Sequence, residues 1–371
     1  MSVDTRNSRP LQPFPPNEYL ARIKRLTKLV AKEKLDAFII LSEINRFYFT
    51  GFHSSNAVLL IQPGREPEFY TDFRYLEMAR RCLDFVKLGT LRRVKGPFDG
   101  VSRKARWRRV GFEGRTPQTG YESLRKALPD VKEWVNAEKL ISGLRAVKSA
   151  REQAVLRRAV HIGDDVFRLA MADVRLGMSE WDIRRLLRYW SDKLAQNSAF
   201  GIVCVGSNAS ECHHAPGERI LRRNQEVLVD MGVTVDSYVS DMTRTVFFGK
   251  PSKKLAELYK IVLEANKRAI RAIRAGQSCA RVDAIARKVI EQAGYGKQFG
   301  HGLGHGVGLE VHEAPGFSAL SKELLKPGNV MTVEPGIYLP GVGGVRIEDM
   351  VIVHQGGCEV LTRTPKRLTC Y

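Results

Sequence analysis

Five side chains in the C-terminal half of the chain have types that suit one metal site. Asp230 and Asp241 lie in VDMGVTVDSYVSDMTRT, His305 lies in GHGLGHGVGLEVHE, and Glu334 and Glu348 lie in TVEPGIYLPGVGGVRIED. Four carboxylates and one imidazole form an oxygen-rich set that binds two hard or borderline divalent cations and leaves positions open for water. These residues therefore predict a metal-dependent hydrolase.

The two aspartates are eleven residues apart, on either side of a turn around Asp236. The flanking sequences VLVDMGVTV and YVSDMTRTVFF are both typical of strands, so Asp230 and Asp241 can meet on neighbouring strands of a hairpin-like unit. Asp236 is expected in the turn itself, where an Asx contact is the ordinary explanation for an aspartate.

Glycine occupies every even position from 300 to 308, around His301 and His305. In an extended chain, at about 3.3 Å per residue, the two histidines point the same way but stand about 13 Å apart, so they cannot bind one metal ion. The spacing also differs from the helical H-E-x-x-H zinc motif and from a phosphate loop, which needs a following lysine. The glycines let a substrate backbone or another strand approach closely, or they form a turn.

The second half of the chain contains an internal repeat of roughly 100 residues. LGMSEWDIRRLL at 176–187 resembles AGQSCARVDAIARKVI at 275–290, and CHHAP at 212–216 aligns with VHEAP at 311–315, an offset of 99. Asp230 aligns with Glu334 at an offset of 104. This pattern predicts a duplicated α+β unit with a pseudo-two-fold axis, in which each copy supplies half of one site.

These motifs resemble those of the pita-bread metallopeptidases, and among them the Xaa-Pro peptidases (prolidase and aminopeptidase P). The family pattern of Asp-x-Gly, Ser-Asp-x-Thr-Arg-Thr, His-Gly-x-Gly-His-Gly, Val-Glu-Pro-Gly and Arg-x-Glu-Asp is complete in this sequence. The resemblance implies that Asp230 binds one metal ion and that Asp241 and Glu348 bridge two. It implies that His305 and Glu334 complete the set of ligands.

The resemblance also implies roles for residues outside the ligand set. His213, His301 and His312 match the outer histidines that position the substrate and stabilise the tetrahedral intermediate. Arg346 matches an arginine behind the ligands, and Tyr338 matches a tyrosine that lines the site. His214 directly follows His213, and the sequence leaves open which member of this doublet takes the role, although the spacing favours His213.

The chemistry that follows is hydrolysis by an activated water. A water between two dications loses a proton near neutral pH, and Glu334 is the best candidate to take that proton and pass it to the leaving proline nitrogen. An Xaa-Pro bond is a tertiary amide without an N–H, so it needs a dedicated pocket. The ligand mix favours Mn²⁺, with Co²⁺ or Zn²⁺ as alternatives.

A chain of 371 residues exceeds the usual size of one domain. We expect a flexible segment at 1–17, an α/β domain at 18–140 and an α+β pita-bread catalytic domain at 141–371, with Ser149 and Glu152 spaced as a capping box. NRFYFTGF, YTDFRYLEMA and VGFEG resemble the creatinase-like N-terminal domain of the Xaa-Pro peptidases. The patterns predict helices at 18–34, 75–82 and 121–128 and strands at 37–41, 57–62, 68–71 and 110–112.

Composition limits the cellular setting and the partners. Six cysteines without a CxxC pair argue against a zinc ribbon or a secreted disulfide framework. The polar, proline-rich start and the lack of an 18-residue apolar run predict a cytosolic protein without a membrane span. The net charge of +20, densest at 91–115, is interpreted as a solvated basic surface rather than a nucleic-acid site. The resemblance implies a homodimer that acts on proline-containing peptides.

Three other functions are compatible with a fold of this kind. A creatinase-like amidinohydrolase shares the two-domain architecture but works without metal and lacks the ligand set. A non-catalytic peptide-binding protein on the pita-bread fold loses ligands, whereas this sequence keeps all five. A methionine aminopeptidase lacks an N-terminal domain of this type.

Overall fold

The computed structural model describes residues 12–91, 106–195 and 197–371. The chain divides into two compact units between Arg145 and Ala146. Most of the segment predicted to be flexible, residues 1–11 of 1–17, lies outside the described residues, and so does the greater part of the basic cluster, residues 92–105. No described helix is long and apolar enough to cross a membrane.

The N-terminal unit is built around a mixed six-stranded sheet with the order β4-β3-β2-β1-β5-β6. Its central strands β1 and β2 are buried along their whole length. The described helices are α1 (Pro16–Lys32), α2 (Glu43–Thr50), α3 (Phe73–Cys82), α4 (Gln118–Ala127) and α5 (Glu138–Ala146). The strands are β1 (Ala37–Ile40), β2 (Ala57–Ile61), β3 (Glu68–Thr71), β4 (Lys87–Thr90), β5 (Arg109–Phe112) and β6 (Glu133–Asn136).

The first helix begins at Pro16, two residues before the predicted start, because proline at the first helical positions already has a helical φ. The sequence analysis did not predict α2. Its residues are mostly aromatic or β-branched, which favours a strand locally. Ser42 accepts a hydrogen bond from the backbone N–H of Asn45, and Gly51 ends the helix at a φ of +65°, so capping and burial determine its conformation.

The C-terminal unit packs four long helices against antiparallel sheets. The helices are α6 (Ala150–Asp173), α7 (Glu180–Leu194), α8 (Lys253–Ala272) and α9 (Cys279–Gln292), with short 3₁₀ helices at Gly206–Ser210 and Gly296–Gln298. The strands are β7 (Asn197–Val205), β8 (Gln225–Val235), β9 (Tyr238–Val239), β10 (Met242–Phe248), β11 (Gly304–Gly306), β12 (Glu313–Phe317), β13 (Val330–Val333), β14 (Gly336–Leu339), β15 (Gly343–Arg346), β16 (Asp349–Val353) and β17 (Cys358–Val360). The capping box predicted at Ser149 and Glu152 is present at the start of α6.

The internal repeat predicted from the sequence is present in the backbone. In the first copy, the N–H of Gly177 donates to the carbonyl of Leu221 at 2.9 Å. In the second copy, the N–H of Gly276 donates to the carbonyl of Leu325 at 2.8 Å, 99 and 104 residues further along. Gly177 and Gly276 each lie just before a helix, α7 or α9. An isolated antiparallel bridge follows in both copies, Ser179 with Ile220 and Ser278 with Leu324, so the two copies begin with the same turn and the same bridge. The predicted duplicated α+β unit is confirmed.

The two predicted aspartate strands are neighbours. β8 and β10 pair antiparallel, with Thr243 opposite Asp230. Asp241 lies two residues before Thr243, so the two aspartates are close to each other on this strand pair. Asp236 lies in the intervening turn, as predicted, with a φ of +48°. Its carboxylate pairs with Arg158 instead of contacting its own backbone.

Glu226 is a buried carboxylate on β8 that the site does not use. Its Oε1 has no hydrogen-bond partner among the described residues, and burial raises its pKa to about 7. Since the pKa is higher in the folded state than in the unfolded chain, the charged form destabilises the fold progressively as the pH rises above about 4.5. Gln has nearly the same shape without the charge.

Glu226→Gln is therefore expected to raise the free energy of unfolding at pH 8.5 by about 1–3 kcal/mol and to change it little at pH 5. Thermal unfolding of both proteins at the two pH values, at equal metal content, measures the difference. Equal midpoints at pH 8.5 would show that the charge of Glu226 is compensated.

Candidate metal centre

The five predicted ligand residues converge on one cavity of about 420 Å³ in the C-terminal unit. Asp230 is on β8, and Asp241 lies between β9 and β10. His305 is in the middle of β11, Glu334 directly follows β13 and Glu348 directly precedes β16. The cavity is lined by Ile202, Cys212, His213, Asp230, Asp241, His301, Gly302, Gly304, His305, Val311, His312, Glu334, Arg346 and Glu348.

Three of these residues are close enough to share one ion. A ligand atom from each of Asp241, His305 and Glu348 lies within 4.8 Å of the other two. His305 Nε2 lies 3.2 Å from Glu334 Oε1 and 3.7 Å from Asp241 Oδ2. His305 Nδ1 lies 3.1 Å from the carbonyl of Gly306, which can only accept, so Nδ1 carries the proton and Nε2 faces the carboxylates.

Two buried carboxylate oxygens in the cluster lack partners among the described residues. Asp230 Oδ2 accepts from Arg346 Nη2 at 2.7 Å, whereas its Oδ1 accepts nothing. Glu348 Oε2 accepts from Thr243 Oγ1 at 2.7 Å, whereas its Oε1 accepts nothing. A buried polar atom without a partner is costly, and cations bound in the cavity would give these oxygens partners.

The electrostatics of the cluster also fit a cation. Burial raises the pKa of Asp230, and burial together with neighbouring carboxylates raises the pKa of Asp241 and Glu348 well above the ordinary values. Burial raises the pKa of Glu334, but the hydrogen bond and charge of His305, together with the charges of His301 and Arg346, outweigh it and lower that pKa. Such a group of like charges is stable in its ionised form only with positive charge among them, and divalent cations supply it.

The outer histidines surround the cluster in the same cavity. His213, His301 and His312 all line the cavity, and the ring centroid of His312 lies 4.2 Å from that of His305. Burial lowers the pKa of both His301 and His312. The structure therefore brings together every histidine that the sequence placed at the site.

Arg346 and Tyr338 connect the outer histidines to the carboxylates. The buried guanidinium of Arg346 donates to Asp230, and its Nη1 donates to the hydroxyl of Tyr338 at 3.0 Å. That hydroxyl lies 2.9 Å from His301 Nε2. His301 Nδ1 faces the carbonyl of Gly302 at 2.8 Å and so carries the proton, and therefore Nε2 accepts from Tyr338.

The structure distinguishes the two members of the histidine doublet. His213 lines the cavity, whereas His214 Nε2 lies 2.8 Å from Glu180, whose carboxylate is fully buried beneath the loop. The sequence analysis assigned no role to Cys212 and did not consider Thr243. Thr243 lies within the matched Ser-Asp-x-Thr-Arg-Thr motif and holds Glu348, so its position in that motif was the available signal.

The glycines around His305 allow close packing of strands. A Cβ atom on Gly304 would lie 2.3 Å from the carbonyl oxygen of Thr332, and one on Gly306 would lie 2.5 Å from that of Ala314. These contacts are too short for any side chain. The glycines therefore let neighbouring backbone approach β11, which holds His305 among the carboxylates.

Comparison with known proteins places this chain in a family. Residues 154–355 match the model of metallopeptidase family M24, and residues 22–147 match the creatinase/prolidase N-terminal domain. The chain belongs to metallopeptidase family M24. It is 34% identical to the Xaa-Pro dipeptidase of Pyrococcus furiosus over 350 residues, which cover 94% of this chain and 99% of that protein.

Solved structures show the same fold over nearly the whole chain. An Xaa-Pro dipeptidase from Bacillus anthracis superposes with a TM-score of 0.90 at 36% identity, covering 95% of this chain and 100% of the other. An X-Pro aminopeptidase from Thermotoga maritima MSB8 superposes with a TM-score of 0.85 at 32% identity, covering 94% and 99%. These matches confirm three predictions: the family, the fold with an α/β N-terminal part and a pita-bread catalytic part, and the assignment as a metallopeptidase. Membership of this family implies divalent metal ions and a peptide substrate.

Proposed function

We propose that this M24 metallopeptidase hydrolyses the Xaa-Pro bond in dipeptides or at the N-terminus of peptides. The observation that carries the proposal is the convergence of four carboxylates and one imidazole, surrounded by three histidines, in one cavity. Similarity to proteins named Xaa-Pro dipeptidase and X-Pro aminopeptidase, over 94% of the chain or more, supports the choice of bond.

Two divalent cations, preferably Mn²⁺, are proposed to be held by Asp230, Asp241, His305, Glu334 and Glu348. The fit rests on the unpartnered oxygens of Asp230 and Glu348 and on the Nε2 of His305, which faces Glu334 and Asp241. Mostly oxygen donors with one imidazole suit Mn²⁺, and Co²⁺ or Zn²⁺ are alternatives. When bound, the cations supply Lewis acidity, which lowers the pKa of a water and polarises the scissile carbonyl.

The protein groups around the cations move protons and orient the peptide. Glu334 is proposed to accept a proton from the attacking water and to deliver it to the proline nitrogen, because its carboxylate faces the cavity beside His305. His312 is proposed to donate to the substrate carbonyl as its charge develops, and His301 is proposed to position the substrate together with Tyr338. His213 is proposed to position the peptide from the opposite copy of the repeat.

The chain is also proposed to work as a homodimer in the cytoplasm. All six cysteines are free thiols, which agrees with a reducing compartment. The homodimer follows from the family resemblance, and sedimentation of the purified full chain at several concentrations tests it.

Selectivity for proline is the decisive test of the proposed bond. We expect Ala-Pro, or a longer Xaa-Pro peptide, to have a kcat/KM about 30- to 100-fold above that of the matched alanine peptide. The smaller residue leaves a proline-shaped pocket unfilled and brings an N–H without a designed partner, a loss of about 2–3 kcal/mol. Assays with added Mn²⁺ measure both pairs. Equal kcat/KM values would refute the Xaa-Pro assignment and leave a metallopeptidase of other specificity.

A further inference from the structure

The two copies of the repeat place an ionisable residue directly after each of two outer histidines. His214 follows His213 in CHHAP, and Glu313 follows His312 in VHEAP, at the same offset of 99 residues. A histidine can carry a positive charge and a glutamate a negative one, so the sequence alone does not show that the two positions correspond. Neither residue lines the cavity, and both turn away from it into the C-terminal unit.

In the first copy, a buried carboxylate holds the loop that carries His213 in place through hydrogen bonds. Glu180, at the start of α7, is fully buried. Its Oε1 accepts from the N–H of Val205 at 2.7 Å, before the loop, and its Oε2 accepts from the N–H of Gly217 at 2.9 Å, after the loop. Between these two points, Oε2 also contacts His214 Nε2 at 2.8 Å. One carboxylate thus holds both ends and the middle of this loop.

In the second copy, a carboxylate at the end of the loop, on the first residue of β12, plays the corresponding part. Glu313 Oε1 accepts from the N–H groups of Leu309 and Glu310 at 2.8 and 3.1 Å, which folds the loop before His312 back on itself. Its Oε2 pairs with Lys148 Nζ at 3.1 Å, and the side chains of Glu313 and Lys148 are only 5% and 1% exposed. The lysine precedes α6 and fixes the loop to that helix start.

We propose that Glu180 and Lys148 are positioning residues for the proposed peptidase reaction. Each anchors the loop that presents one outer histidine to the substrate. Glu180 does so by hydrogen bonds to the loop backbone and to His214, whose Nδ1 also lies 2.7 Å from Glu211, and Lys148 does so by a buried ion pair with Glu313. The polarity is reversed between the two copies. In the first copy, the carboxylate is on the helix and the imidazole is on the loop that carries His213. In the second copy, the ammonium lies before the helix and the carboxylate directly follows His312. The proposal rests on the proposed function of the cavity.

His213 and His312 need such anchors because of where they lie in the structure. His213 and His312 are both exposed at the cavity, and each lies in a loop rather than within a helix or strand. An exposed side chain on an unanchored loop samples many positions, and a displacement of about 1 Å at a reacting group can cost about 100-fold in rate. A buried ion pair allows few alternative geometries, because separating the charges in the interior is costly.

The test compares variants that break each pair with variants that keep it. Glu180→Gln and Lys148→Met break the two pairs, and His214→Ala breaks the first from the loop side. His214→Gln keeps a donor for Glu180, and Lys148→Arg keeps a cation for Glu313. Glu359→Gln is the matched control, because it breaks an ion pair with Arg157 (2.6 Å) whose residues do not line the cavity.

Two readouts separate positioning from general damage. Steady-state kinetics on an Xaa-Pro peptide, with metal content and unfolding midpoint measured on the same samples, report the reaction. The imidazole NMR signals of Zn²⁺-loaded full-length protein carrying ¹³C-histidine report each loop, and eight histidines keep the spectrum simple. His213→Ala and His312→Ala assign the two signals.

We expect Glu180→Gln to shift or broaden the His213 signal and leave that of His312, and Lys148→Met to do the opposite. Each should lower kcat about 10- to 100-fold at unchanged metal content. Lys148→Arg, His214→Gln and Glu359→Gln should lie close to wild type. The double variant Lys148→Met with Glu313→Gln should recover part of the loss, because the buried carboxylate charge that lost the ammonium of Lys148 is removed as well.

Wild-type kinetics and unshifted signals in both broken-pair variants would overturn the proposal, and so would equal disturbance of both histidines by either variant. If Glu180→Gln does not fold, His214→Ala tests the same pair. If the wild type cleaves no Xaa-Pro peptide, the proposed function fails, and the NMR signals alone then decide whether the anchors position the two histidines.

Discussion

Glu348→Ala and Asp241→Ala are each expected to abolish peptide hydrolysis and to reduce the metal bound per chain by at least half. Both carboxylates are almost fully buried, and both belong to the group of ligand atoms that lie within 4.8 Å of one another with His305. Each carboxylate would contact both proposed cations, as the family resemblance implies, so its loss would leave the cations repelling each other. Elemental analysis and an Xaa-Pro assay on protein purified without chelator measure both effects.

Replacing Glu348 with glutamine should stabilise the fold once the metal is removed. Without cations, burial and neighbouring carboxylates hold the pKa of Glu348 well above its usual range, so its charge destabilises the fold at high pH. In chelator at pH 8, Glu348→Gln should therefore unfold at a higher temperature than wild type. With metal present the order should reverse. Full turnover with normal metal content in Glu348→Ala, or no reversal between the two conditions, would contradict the assignment of Glu348 as a ligand.

Part of the ligand set could be predicted because its information is local. Asp230 and Asp241 lie on either side of a turn, and apolar alternation on both sides identifies two strands that have to pair. His305 lies between Gly304 and Gly306, which let neighbouring backbone approach the short strand β11. The duplicated helix start and histidine then align Glu334 with Asp230, whereas the individual metal-binding roles, and the place of Glu348 in the set, followed from the family resemblance.

What could not be predicted depends on contacts between distant segments. Arg346 contacts Asp230 across 116 residues, and Glu180 contacts His214 across 34. No spacing rule indicates such pairs, and for that reason the sequence left the choice between His213 and His214 open. The helix α2 was missed for a related reason, since its composition favours a strand and only its caps and its burial favour a helix.

The two glycine-flanked histidines are expected to differ sharply in what their removal does. His305→Ala should lose metal, because His305 Nε2 faces Glu334 and Asp241 and its proton is held on Nδ1. His301→Ala should keep the metal, because its Nδ1 donates to a carbonyl and its Nε2 accepts from Tyr338. Neither nitrogen of His301 is therefore available to a cation.

His301→Ala should nevertheless slow the reaction, by about 2–4 kcal/mol of transition-state stabilisation, because it removes a side chain that lines the cavity and holds the Tyr338 hydroxyl. Tyr338→Phe is the matched variant: it keeps His301 but removes the hydroxyl that links it to Arg346, so its loss should be smaller. Metal content and single-turnover rates on the three variants separate binding from chemistry. If His301→Ala lost metal while His305→Ala retained it, the extended-chain argument for which histidine binds the cation would be wrong.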